Sequence, residues 1–194
     1  MNKILIIILL SVYGVNAQTL QIAGVEPLES YHNYRVDDNL DLSDVNYFKD
    51  VNNHLGKFVG TWTGTFDNKT LELQISIIEN VKGVRISFDK LLIKYKLTDS
   101  NGNEIFNTLP YFDDYNLHMR GRYFGNTTNL YFAFYAGEEW ECNQKGTAFI
   151  NFINTNTITL WILPDSDMIG EDCPSGNVHI LPTTKATRVT LTKQ

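Results

Sequence analysis

The chain has 194 residues, 43% apolar, 12% aromatic and 20% charged, with 16 Lys and Arg against 22 Asp and Glu for a formal net charge of −6. That apolar and aromatic content excludes intrinsic disorder, and two cysteines are too few for a disulfide-stapled miniprotein. The acidic balance argues against a nucleic-acid partner, which takes clustered Lys and Arg, and the length suits one domain with a substantial core.

The N-terminus reads as a secretory leader over residues 1–17. Lys3 supplies the positive start, Ile4 to Leu10 form an unbroken apolar run, and Val15-Asn16-Ala17 offers a small-residue cleavage site before Gln18. The apolar run is far shorter than the roughly 20 residues of a spanning helix. Cleavage between Ala17 and Gln18 removes Lys3 and no acid, leaving the mature chain one unit more negative. No later run is apolar and long enough to span a bilayer, so the expectation is an exported protein, periplasmic or extracellular. Export places Cys142 and Cys173 in an oxidising compartment, where an even pair reads as a disulfide and two free thiols are the alternative.

Residues 18–56 read as an irregular N-terminal segment with one short helix. Residues 18–40 show no sustained period, whereas Leu42, Val45, Phe48, Val51 and Leu55 recur at three- or four-residue spacing. That spacing predicts a helix over 42–55, with Asp41 or Ser43 as N-cap and Gly56 near its end.

From Lys57 the period switches to two, and 57–194 reads as one β domain. Leu71, Leu73, Ile75 and Ile77 alternate with polar residues, as do Val84, Ile86 and Phe88, and then Leu91, Ile93, Tyr95 and Leu97. Tyr131 to Tyr135 and Ile158 to Leu163 are denser runs suited to strands covered on both faces, and Val189 and Leu191 mark a last short strand. Turn clusters separate them at Asp67-Asn68, Asn101-Gly102, Gly125-Asn126 and Asn154-Thr155-Asn156. Three segments, from Gly60, Gly121 and Gly146, share a plan of glycine, aromatic strand, Asn/Thr turn and apolar strand, which reads as hairpins built with one turn chemistry. The fold class is mainly β, an antiparallel barrel or sandwich of about 8–10 strands preceded by a short helix.

The segment Tyr47-Phe-Lys-Asp-Val-Asn-Asn-His-Leu-Gly-Lys-Phe-Val-Gly-Thr-Trp62 resembles the opening signature of a family of small exported bacterial proteins known only as a domain of unknown function. Lys49, Asp50, Asn53, Leu55, Lys57, Phe58, Gly60, Thr61 and Trp62 carry the likeness, and Val189-Thr-Leu-Thr-Lys193 resembles that family's closing strand. The resemblance implies export and a β-rich fold, and no activity. Gly60-x-Trp62 is also similar to the first-strand motif of lipocalins and other calycin barrels, in which the Gly bends the backbone and the Trp plugs the closed end. That likeness implies a calycin- or lipocalin-like barrel, with Arg188 as a stand-in for the family's closing Arg.

No nucleophile elbow, phosphate loop or local zinc spacing is present, and His32, His54, His118 and His179 stand far apart. Glu138-Glu139-Trp140-Glu141 reads as an acid–base or cation-holding cluster or as a solvated hairpin end. Asp165-Ser-Asp167-Met-Ile-Gly170-Glu-Asp172 is a loose calcium-loop likeness, and Asp113-Asp114 with His118 and Arg120 is a third polar group. Asn68-Lys-Thr70 and Asn126-Thr-Thr128 match glycosylation sequons and also suit turns. No catalytic residue, metal ligand or cofactor is assigned.

The aromatics supply the candidate ligand residues. Trp62, Tyr123, Phe132, Phe134 and Trp161 either line a cavity for a small apolar ligand or fill the core and cover a sheet face. The leading expectation is a non-catalytic binding or accessory barrel taking a small apolar ligand or an envelope protein. Its rivals are a hydrolase-type enzyme whose Asp, Glu and His meet only in three dimensions, and an envelope protein using an aromatic sheet face as an interface.

Overall fold

The computed structural model describes residues 24–112, 118–137, 142, 144–165, 173 and 180–194. Among these residues the chain forms β1 (Val25–Pro27), α1 (Tyr31–Val36), β2 (Tyr47–Lys49), β3 (Gly60–Phe66), β4 (Lys69–Lys82), β5 (Ser87–Thr98), β6 (Glu104–Asn107), β7 (Met119–Phe124), β8 (Leu130–Ala136), β9 (Lys145–Asn154), β10 (Thr157–Pro164) and β11 (Val189–Lys193). β3, β4, β5, β7, β8, β9, β10 and β11 follow one another as an antiparallel meander, and β11 returns to pair with β3. A pairing of β5 with β7 completes a closed eight-strand barrel.

Local chemistry sets the hairpins. Asp67 and Asn68 both adopt positive φ, 45° and 58°, between the paired Phe66 and Lys69. A two-residue turn with both centres left-handed matches the twist of the flanking strands, and Asp and Asn tolerate that conformation best after Gly. The alternation in each strand then sends one set of side chains inward. Trp62, Leu71, Leu73, Leu91, Ile93, Tyr95, Leu97, Tyr131, Tyr135, Ile150, Ile158 and Leu160 have no accessible surface at all.

The β5–β7 seam is the weak one, with a single register pair, Leu92 with Arg120. On either side of that pair β5 turns its edge to other strands. β6 takes Lys96 to Thr98, and β2 takes Ser87 and Phe88 in parallel. The N-terminal segment seals the opening, since Leu28, Val45, Phe48 and Leu55 belong to the same buried cluster as the barrel residues. Tyr31 contacts Phe48, Phe88 and Tyr123 edge-on, with ring centroids 4.8, 5.0 and 5.4 Å away. Residues 24–56 and the barrel therefore share one core.

Two sequence expectations need correcting. The helix lies at Tyr31–Val36, after a 3-10 turn over Leu28–Ser30, and residues 42–55 are not helical. Four of the five spaced apolar residues are buried or half-buried against the core, while Val51 is exposed. Acidic side chains there bond nearby backbone in place of helical carbonyls. Asp41 accepts from the Ser43 N–H at 2.9 Å, and Asp50 accepts from the N–H groups of His54 and Leu55 at 2.7 and 2.8 Å. Val84 and Ile86 do not begin a strand. They sit in the connection between β4 and β5, with Val84 fully exposed.

Candidate functional site

Among the described residues the lumen is filled. Side chains with zero accessible surface touch no void that admits water, so the ring of buried residues on β3 to β11 leaves no room beside them for a ligand. Trp62 belongs to that filling, and its indole N–H donates to the Phe58 carbonyl at 2.8 Å, in the 3-10 turn before β3. The cation above its ring is Lys193, 5.1 Å from the centroid, and not Arg188, whose guanidinium donates to the Lys185 carbonyl. An open groove of about 450 Å³ runs along the β3–β4 turn between Thr65, Thr70 and Ser100, and its lining is mostly polar.

The other four sequence candidates stand on the outside of the barrel. Register pairs Tyr123 with Phe132, Phe132 with Phe149, and Phe149 with Trp161, one residue from each of β7, β8, β9 and β10. The rings meet in a row, at 5.4 Å edge-on, 5.0 Å edge-on and 4.9 Å stacked within 8° of parallel. Phe134 lies in the next row, opposite Arg120 on β7 and Thr147 on β9, and Leu163 follows on β10. All of these rings are half-buried, and Leu163 is 57% exposed.

Arginines frame the row at its β7 side. Arg120 lies 5.0 Å over Phe134, Arg122 lies 5.8 Å from Tyr123, and Arg35 of α1 lies 4.4 Å over Tyr123 and donates to its hydroxyl. A β-bulge between Gly121 and Tyr123 places Arg122 and Tyr123 on the outside together. The wall of β3, β4 and β5 shows a different surface: Thr61, Thr63, Glu72, Gln74, Ser76, Lys94 and Lys96 point outward between the buried positions. A membrane-spanning barrel carries its apolar band all the way round. This one has it on one side.

Sequence reasoning missed Phe149 and the three arginines as members of this set. The alternation of β9 already placed Phe149 on the outer face, but its neighbours depend on the register with β8 and β10, which no local pattern states.

No family model, curated protein or solved structure matches this chain. The wall is therefore read from its own geometry.

His54 and His118 have structural explanations. His54 Nε2 lies 3.5 Å from Glu29 Oε1, which also accepts from the Asn52 amide, tying the N-terminal turn to the segment before β3. His118 Nδ1 lies 2.6 Å from the Ala136 carbonyl, against the Phe106 ring. The clusters Asp113-Asp114, Glu138 to Glu141 and Asp167 to Asp172, together with His179, lie outside the described residues. Among the described residues no three His, Cys, Asp or Glu side chains gather to hold a metal ion.

Cys142 and Cys173 stand at disulfide distance, Cα–Cα 5.4 Å, joining the β8–β9 connection to the β10–β11 connection. The bond closes a loop across 31 residues of sequence. Its reduction is expected to lower the unfolding free energy by about 3–4 kcal/mol. Urea titrations with and without reductant check this, and coincident curves would contradict it.

Two phenols, the half-buried Tyr47 and the buried Tyr135, give the fold an alkaline limit. Burial raises the Tyr47 pKa first, and the adjacent Asp89 carboxylate that accepts its hydroxyl raises it further. Burial likewise raises Tyr135, whose hydroxyl meets Tyr95 inside the barrel. Because the folded state holds both phenols neutral, their contribution is fully present below about pH 10 and is lost as pH climbs toward the raised folded values. Stopped-flow pH jumps should show a fast tyrosinate phase from surface phenols and a slow one at the rate of unfolding. A single fast phase would refute it.

Proposed function

We propose that this protein is an exported, non-catalytic binding or accessory barrel that works through the outer wall of β7 to β10 and not through its lumen. The observation that carries the reading is the cross-strand row Tyr123, Phe132, Phe149 and Trp161, set on the outside of a barrel whose interior is already full. Aromatic residues and arginine are the side chains that concentrate at the centres of binding surfaces, whereas Lys, Glu and Ser, abundant on the opposite wall, are depleted there. The leader, the cysteine pair and the absence of a long apolar helix among the described residues all fit export. The likeness to exported bacterial proteins with a Lys57-Phe-Val-Gly-Thr-Trp62 segment supports the same placement.

Anilinonaphthalene sulfonate, an apolar anion, combines the chemistry the wall should attract. Its binding to the folded chain is expected to weaken about tenfold on Leu163→Asp and to be unchanged by Gln74→Asp on the opposite wall. Equal binding by both variants would overturn the reading.

A further inference from the structure

We infer that the aromatic wall is self-complementary and pairs with the same wall of a second copy of this chain, about a two-fold axis running along the strands. This rests on the reading of the wall as the binding surface and names its partner.

The two margins of the wall differ in a way that such an axis uses. At the β7 margin Arg120 and Arg122 lie over aromatic rings, and neither makes an ion pair among the described residues. At the β10 margin stand Trp161, the exposed Leu163 and then Asp165, which is exposed. The Asp165 N–H donates to the Lys145 carbonyl at 3.1 Å, so the ladder continues one step past Pro164, the last residue of β10. By strand alternation the Asp165 side chain falls on the same outer face.

A two-fold axis parallel to the strands sets β7 of one copy across from β10 of the other, so each Arg120 meets Leu163 and Asp165 of the second copy. A two-fold axis across the strands would instead face β7 with β7 and arginine with arginine, which like charges oppose. An isologous contact makes each such pairing twice. Two sheet faces pack about 10 Å apart with their side chains interdigitated, and the half-buried rings of Phe132, Phe149 and Trp161, next to the Tyr123 that Tyr31 and Arg35 cover, face that partner. The chain carries a net charge of −6, so two copies repel at long range, and the Arg120–Asp165 pairing would both offset that repulsion and fix the register.

Sedimentation equilibrium of the full chain tests this. The wild type is expected to show a concentration-dependent monomer–dimer equilibrium. Arg120→Asp and Asp165→Arg are each expected to raise the dissociation constant about tenfold, and the double exchange to restore it to within about threefold of wild type. Both positions lie on the outer face, and circular dichroism confirms that the variants keep the fold. A chain that stays monomeric, or a double exchange no better than either single change, overturns the second copy as partner. If the chain is monomeric while Leu163→Asp still removes binding to vesicles containing phosphatidylglycerol, the wall remains the binding surface and faces lipid. If wall variants change neither measurement, both readings fall.

Discussion

Asp89→Ala is expected to lower the unfolding free energy by about 4–5 kcal/mol, a large part of the margin of a domain this size. Asp89 is a carboxylate only 3% exposed, and it accepts three hydrogen bonds. One oxygen takes the Tyr47 hydroxyl and the Asn80 N–H, the latter at 3.0 Å, and the other takes the Asp50 N–H at 2.9 Å. The three donors come from β2, from the segment after it, and from the bulge of β4 between Ile78 and Val81, where Asn80 adopts φ 53°. A bulge releases a backbone N–H from the ladder, and Asp89 receives it. Alanine leaves all three donors without an acceptor in a site that excludes most water, and each such loss costs about 1–3 kcal/mol. Asp89→Asn keeps the shape but turns a donor toward a donor, so it should lose about half as much. Urea unfolding of the three proteins decides this, and an asparagine variant as stable as wild type would show that shape alone matters.

Gly121→Val is expected to cost about 4–5 kcal/mol, because the β5–β7 seam has no space for a side chain. A Cβ at Gly121 would overlap the Leu91 carbonyl oxygen and lie 2.8 Å from the Tyr131 hydroxyl. That hydroxyl accepts from the buried Leu91 N–H at 3.1 Å, where β5 lacks a longer strand partner, so widening the seam would also strand a backbone donor. The β3–β11 seam has the same design: a Cβ at Gly64 would overlap the Thr190 carbonyl oxygen. Denaturant titration measures the loss. Hydrogen exchange should show early opening in β5 and β7 in the Gly121 variant, and uniform protection across the barrel would contradict the seam argument.

Much of the barrel is legible along the chain. The alternation of Leu71, Leu73 and Ile75, or of Leu91, Ile93, Tyr95 and Leu97, marks the buried face residue by residue because side chains on a strand point alternately to its two sides. The N-terminal segment misled for a physical reason. Leu42, Val45, Phe48 and Leu55 are spaced to share one side of a helix, and they do reach the core. Asp41 and Asp50 hold the backbone in other shapes, and the edge of β5 recruits Phe48 into a strand. Spacing reports which side chains are buried, and it reports the backbone that delivers them only when nothing non-local competes.

The aromatic wall divides in the same way. The sequence by itself determined that β8 and β10 are dense apolar runs, and that rings recur closely between Tyr111 and Trp161. Only the tertiary structure decided that Trp62 belongs to the filled interior while Tyr123, Phe132, Phe149 and Trp161 meet as one row outside it. Strand alternation is a local property of the backbone, written into every second residue. Register is a contact between segments far apart in sequence, and it is settled by which pairing closes the barrel around its core.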